Sequence, residues 1–189
     1  MNMSLKQIRT PVALIGLMLA TRFHHFGGMI SLPDASLATF FFAGFWVSGW
    51  RFFAILLVEA ALIDYVAIKE FSVSDYCISP AYAFLIPTYA CLWFAGRYCA
   101  YRVLKPSELI QQFAVLAIAT STAFVISNGS FYFLSDKFPD INWLEYSDRV
   151  ALYYPPYLAY TLMYVTVIYV FVKTSKSMLS NSVSTATSQ

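Results

Sequence analysis

The chain has 189 residues, of which 59% are hydrophobic, 19% are aromatic and only 12% are charged. A water-soluble domain of this length could not hide so many large apolar side chains without exposing extensive apolar patches. The formal net charge of +2 is too small to indicate nucleic-acid binding, and no cluster of Lys and Arg is interleaved with aromatic residues in a polar segment. The composition therefore predicts one membrane domain with short loops, surrounded by lipid.

Apolar runs along the chain approach the length of a spanning helix, which is about 20 residues. In chain order, the six runs are residues 8–26, 36–50, 52–68, 80–100, 108–133 and 149–172. They predict an all-α integral membrane protein with six transmembrane helices. These helices form a single domain within residues 1–175, and the Ser/Thr-rich residues 176–189 are predicted to be a disordered cytoplasmic tail.

The first run begins like a signal peptide, because Lys6 and Arg9 precede an apolar stretch that ends at Ala20. Met18, however, occupies a position where cleavage requires a small residue. We therefore predict that this segment is retained as the first helix.

The basic residues divide unequally between the two predicted sides of the membrane. With the N-terminus inside, the inner side holds Lys6, Arg9, Arg51, Arg97, Arg102, Lys105, Lys173 and Lys176, and the outer side holds Arg22, Lys69, Lys137 and Arg149. Because cytoplasmic loops carry the excess of Lys and Arg, both termini are predicted to be cytoplasmic. The three long loops then face outward.

Cys77 precedes the fourth run on the predicted outer side, within the stretch "SDYCISPAYAF". A small buried apolar side chain is the most common role of such a cysteine. A disulfide is less favoured, because Cys91 and Cys99 lie deeper in the predicted helix and the chain has no Cys-x-x-Cys pair. One thiolate alone can supply a single axial ligand to a metal already held by a macrocycle, and a corrinoid meets that requirement.

The adjacent His24 and His25 are the only histidines of the chain. A zinc site needs about four ligands with suitable spacing, and haem held by two histidines needs them on facing helices. Both sites are therefore disfavoured. Together with Asp34 and Cys77, however, the two histidines supply polar groups for a candidate pocket on the outer side.

Two carboxylates lie within the third run, in the stretch "LLVEAALIDYVAI". Charged groups at membrane depth are costly, so each is a functional candidate. Arg22 lies at an outer depth similar to that of Asp64. The sequence leaves open whether Arg22 pairs with Asp64, whether it pairs with Glu59, or whether the carboxylates face solvent in a ligand cavity.

The first run also carries Ala13, Gly16 and Ala20, a spacing of small residues that lets another helix approach closely. Packing within the chain is the more common use of such a pattern. The same face could instead dock a partner subunit.

Four stretches carry a resemblance to a known family. They are "HHFGG", "LPDASLATFFFAGF", "EAALIDY" and "DYCISPAYAFLIPTYACLWFAGRY", in the family's order and within the first half of the chain. In these stretches the chain resembles the S components of energy-coupling-factor (ECF) vitamin transporters, and among them the solitary cobalamin-transport proteins of the BtuM type. The second half matches the family only in length, helix count and aromatic loops.

The resemblance implies an S-component-like bundle that binds cobalamin and takes it up across the bacterial inner membrane. It implies that Cys77 is the cobalt ligand, that Asp64 is a carboxylate at the floor of the site and that Tyr82 bonds to or stacks on the ligand. Carried over position by position, the candidate binding residues are Cys77, His25, Asp64, Tyr82, His24 and Arg149. His24 and His25 are alternatives for one contact, and the surroundings of Arg149 match no motif.

The resemblance also bears on chemistry and partners. Thiolate-assisted loss of cyanide from cyanocobalamin is a plausible accompanying reaction of Cys77, although the protein is primarily a transporter. The chain has no Gly-rich phosphate loop. S components usually share an ECF energising module, a transmembrane T subunit with ATPases, which could dock on the face of Ala13, Gly16 and Ala20. Solitary members of the family raise the possibility of uptake without that module.

Two other classes of function remain open from the sequence. One is a membrane thiol enzyme in which Cys77 is the nucleophile and His24 or His25 is the base. The other is a non-catalytic helical scaffold.

Overall fold

The computed structural model describes residues 5–24, 32–70, 79–101, 106–138, 140 and 142–186. Across these ranges the chain is all-helical, as predicted, with six α-helices and no β-strand. The helices are α1 (Leu5–His24), α2 (Ser36–Phe42), α3 (Trp50–Glu70), α4 (Leu85–Ala100), α5 (Pro106–Leu134) and α6 (Trp143–Ala186). A π-helical turn, Ala43–Val47, continues α2, and a 3-10 turn, Pro80–Phe84, leads into α4.

Two helical segments are long and apolar enough to cross a membrane. Leu109–Leu134 in α5 has a mean hydropathy of 1.8, and Trp143–Ser175 in α6 has one of 1.4. Large apolar side chains such as Ile118 and Leu152 are exposed on these helices, at 67% and 65%. Exposed apolar surface of this kind is compatible with contact with lipid.

The last helix is longer than the sequence predicts at both ends. α6 begins at Trp143 rather than at residue 149, and it continues to Ala186. Residues 176–186, which the sequence predicts to belong to a disordered tail, are the last part of this helix. No Pro or Gly occurs between Tyr157 and Ala186, so neither of the strong helix-terminating residues is available to end α6 earlier.

The short helix α2 lies at the centre of the core and packs against α4 at two glycines. Phe40 of α2 is fully buried. A Cβ added to Gly44 would overlap the backbone carbonyl of Trp93, and one added to Gly96 would overlap the carbonyl of Phe41. The two backbones therefore touch directly at this crossing, as small residues permit.

We expect Gly96→Ala to destabilise the protein by about 1–3 kcal/mol, because the added methyl group must push two backbones apart. Thermal unfolding of the purified protein measures the effect. Gly16→Ala is the matched control, because nothing lies within 4 Å of a Cβ added to Gly16. That change should leave stability equal or raise it by up to about 1 kcal/mol, since Ala favours helix. Equal effects of the two changes would contradict the close crossing.

The small-residue face of α1 points outward. Ala13, Gly16 and Ala20 are all exposed, and no described residue reaches the space beside Gly16. Packing against another helix of the chain is the more common role of this spacing. Among the described residues, however, no other helix packs against Gly16. The buried face of α1 instead carries Leu14 and Met18.

Candidate functional site

Arg22 is the centre of a buried polar network where α1, α3 and α4 meet. Its side chain lies almost entirely inside, and its Nε and Nη2 donate to the two carboxylate oxygens of Asp64 at 2.7 and 2.5 Å. Nη1 donates to the hydroxyl of Tyr89 at 2.8 Å, to Ser36 Oγ at 3.1 Å and to Asp34 Oδ2 at 3.3 Å. Of the alternatives that the sequence left open, the pairing of Arg22 with Asp64 is the one that forms.

The geometry of the Arg22–Asp64 pair explains how two charges can be buried together. A guanidinium group presents parallel N–H donors that match both oxygens of a carboxylate. Asp64 is 8% exposed, so each charge has lost most of its water. Such a pair is tolerated only when its remaining donors and acceptors are also satisfied, and here Tyr89, Ser36 and Asp34 do so for Arg22.

Tyr82 joins the network from the 3-10 turn before α4. Its hydroxyl donates to Asp64 Oδ2 at 2.7 Å. Ser79 is extended, with φ −154° and ψ 173°, as is usual for the residue before a proline. Pro80 then opens the turn, and the backbone N–H of Tyr82 donates to the carbonyl of Ser79 at 2.9 Å. This local sequence places Tyr82 over Asp64.

Asp34 connects the network to the start of α2, and it is more exposed to solvent than Asp64 is. One oxygen of Asp34 accepts bonds from the backbone N–H and the hydroxyl of Ser36, at 2.9 and 2.6 Å. The Asp34 side chain is 31% exposed, against 11% for Asp64. Next to Asp34, the carbonyl of Pro33 accepts a bond from the hydroxyl of Tyr164 at 2.7 Å, which ties α6 to the same region.

The sequence analysis missed Tyr89 and Ser36. Both the hydroxyl and the ring of Tyr89 make contacts. The hydroxyl accepts a hydrogen bond from Arg22, and the ring stacks on that of Phe40 with the centroids 4.2 Å apart. It follows Tyr82 by seven residues, which is about two helical turns and therefore the same face. That spacing could have indicated that Tyr89 lies near Tyr82 in the site. Ser36 had the weaker signal of a short polar residue close after Asp34.

The structure brings together some of the predicted binding residues. Asp64 and Tyr82 are in direct contact. Cys77 and His25 lie outside the described residues, and for His24 only the backbone is described, as the last residue of α1.

Arg149 lies in a different setting, an aromatic cluster of α5, α6 and the connection between them. Its guanidinium carbon is 4.8 Å from the ring centroid of Phe138, 5.0 Å from that of Tyr153 and 5.7 Å from that of Phe131. Its Nε is buried and has no acceptor among the described residues. In the described part of the chain, no hydrogen bond or ion pair joins Arg149 to Asp64 or Tyr82.

A cavity of about 270 Å³ lies between α4 and α5, at the opposite end of α4 from Tyr82. Cys99, Gln112 and Ile118 are among its lining residues. Its volume lies just below the range of about 300–1,000 Å³ for pockets that hold drug-sized ligands, so it is too small for a corrinoid. None of the predicted binding residues whose side chains the structure describes lines it.

The described residues contain no group of three or more His, Cys, Asp or Glu side chains placed to hold a metal ion. No protein-family model matches the chain, and no curated protein matches it.

Proposed function

We propose that this protein is an integral membrane protein of six spanning helices, with both termini in the cytoplasm, that binds cobalamin at its outer face and moves it across the bacterial inner membrane. The observation that carries the proposal is the contact between Asp64 and Tyr82 beside Arg22. These two residues come from separate elements, and the resemblance to solitary S components of the BtuM type assigns both of them to one binding site.

The network supports a role as the rigid floor of that site. Asp64 is held by Arg22 and Tyr82, so its position is set before any ligand arrives. Pre-ordered polar groups bind a ligand at a lower entropic cost than mobile ones. Cys77 stands only two residues before Ser79, where the chain enters the turn that carries Tyr82.

Cys77 would act on the cobalt of the transported vitamin. The corrin ring already fills the equatorial positions, so one protein sulfur is enough to complete the axial coordination. Either His25 or His24 would add a polar contact from the first outer loop. Arg149 is a further candidate, because its guanidinium forms no ion pair with a described residue.

Ligation of cobalt by the Cys77 sulfur would also favour the loss of cyanide from cyanocobalamin. The thiolate would donate an electron pair to cobalt at the position vacated by the lower base. Cyanide would leave from the opposite face with the electron pair of its bond to cobalt, so the oxidation state of the metal does not change.

The energy source for uptake follows from the partner that the protein uses. The exposed face of Ala13, Gly16 and Ala20 offers close approach to the T subunit of an ECF energising module. Co-purification with ATPase subunits from the native host would support docking of that module. Uptake by the chain alone in lipid vesicles would exclude the need for it.

We expect protein purified from cells supplied with hydroxocobalamin to carry the visible absorption of a corrinoid, and protein from unsupplied cells to be colourless. Asp64→Ala, which removes the floor carboxylate, should give colourless protein under both conditions. Colourless wild-type protein from supplied cells would refute the proposal. Stoichiometric labelling of Cys77 by a thiol reagent, without any bound corrinoid, would favour the thiol enzyme instead.

A further inference from the structure

Glu59 and Asp64 lie on the same helix but in opposite situations. Asp64 is paired with Arg22 and bonded to Tyr82. Glu59 precedes it by five residues, about 7.5 Å along the axis of α3. Both carboxylate oxygens of Glu59 are buried, and neither has a hydrogen-bond partner among the described residues. The network at the candidate site therefore does not account for Glu59.

In the elements packed most extensively against α3, the described side chains offer Glu59 no available positive charge. These elements are α1, α2 and the π-helical turn. The segment Ser36–Val47, which comprises α2 and the turn, contains no titratable side chain. Among the described side chains of α1, Arg9 and Arg22 are titratable. Arg22 is bonded to Asp64, and Arg9 is exposed, about 20 Å further along α1.

An ionised carboxylate without a donor in a medium of low dielectric constant costs several kcal/mol, and the neutral acid avoids most of that cost. We infer that Glu59 is a proton-binding site, that it carries a proton in this conformation, and that release of the proton is coupled to occupation of the Arg22–Asp64 site by the ligand. The coupling rests on the proposed function; the proton site does not.

The coupling has a structural route through α3. The bonds from Arg22 to Asp64 fasten α3 to α1, and a ligand that engages Asp64 or Tyr82 competes for them. On α3, Glu59 lies at the edge of the buried face, with buried Ile63 on one side and exposed Ile55 on the other. A modest rotation of α3 therefore changes what surrounds the carboxyl group of Glu59.

Such coupling is reciprocal, because a ligand that promotes proton release must bind more tightly when the proton is absent. The vitamin and the proton are then exchanged for one another at this protein, so the proton gradient across the membrane affects how readily the vitamin is taken up.

Infrared difference spectroscopy on the full chain in lipid vesicles tests the proton site directly. At neutral pH, we expect the carbonyl stretch of a protonated carboxyl group in the wild type, its loss in Glu59→Gln and a shifted band in Glu59→Asp. Glu70→Gln is the matched control, because Glu70 is an exposed carboxyl group on the same helix, and it should keep the band. A wild-type band that does not depend on Glu59, or no band, overturns the proton site.

Addition of hydroxocobalamin tests the coupling in the same samples. We expect the Glu59 band to weaken as the visible spectrum reports binding. The affinity of the wild type for hydroxocobalamin should also rise with pH. This rise should be steeper than that of Glu59→Gln by up to about tenfold per pH unit, which is the limit for one linked proton. Bound cobalamin with an unchanged band overturns the coupling. Failure to bind cobalamin removes the proposed function and the coupling with it, while the band still decides the proton site.

Discussion

Replacing Arg22 with Met is expected to destabilise the protein by about 3–5 kcal/mol, because the change leaves the buried carboxylate of Asp64 without its counter-charge. Asp64 is 8% exposed, and among the described residues its remaining donor is the hydroxyl of Tyr82. Unfolding of the purified protein by denaturant or heat measures the loss. Binding of cobalamin should fall with it, because the floor of the site is no longer fixed.

Two further variants separate the loss of the pair from the loss of a side chain. Arg22→Met combined with Asp64→Leu removes both charges, and we expect it to recover most of the stability, since apolar replacements of a buried pair are often neutral. Arg51→Met is the matched control at the exposed start of α3, and it should change stability by less than about 0.5 kcal/mol. A double variant no more stable than Arg22→Met would contradict this account of the pair.

Replacing Cys77 with Ala is expected to abolish the cobalt–sulfur contribution to the visible spectrum of bound cobalamin. Affinity should fall by at least about tenfold, because loss of groups that only orient metal ligands already costs that much. Absorbance titration with hydroxocobalamin measures both quantities. If cyanocobalamin loses cyanide in the wild type, that reaction should stop in the variant.

Cys91→Ala is the control for Cys77. Cys91 is a free, half-buried cysteine on α4, so its removal tests the loss of a thiol without the proposed ligand. We expect its spectrum and affinity to match the wild type. An unchanged spectrum in Cys77→Ala would refute the ligand assignment, whatever the effect on stability.

The sequence was sufficient to predict the helices, because long apolar runs between polar breaks can bury their backbone polar groups only as helices in lipid. It could not predict how α3 is rotated. Glu59 and Asp64 are five residues apart, which is about 140° around a helix, so only one of them can face Arg22. In a helix that is apolar on most sides, the hydrophobic pattern does not decide which one does so.

Other features of the fold could not be predicted from the sequence, because they depend on contacts between segments that are distant along the chain. Gly44 and Gly96 lie in separate runs, and nothing local to either position indicates that their backbones meet. The same holds for Tyr164 and the carbonyl of Pro33, which are far apart in sequence. Tyr82 and Asp64, by contrast, were assigned to one site through the resemblance, and in the structure their side chains are hydrogen-bonded.

The glycine crossing also limits which parts of the molecule can rearrange. Where two main chains press against each other, no side chain can change its rotamer to let them slide, so α2 and α4 must travel together as one rigid piece. α1 and α3 pack on that piece through side chains such as Met18 and Leu56, and Arg22 also bonds to Tyr89 of α4. Any opening of the bundle would therefore begin as a shift of α1 and α3 along a stationary α2–α4 wall.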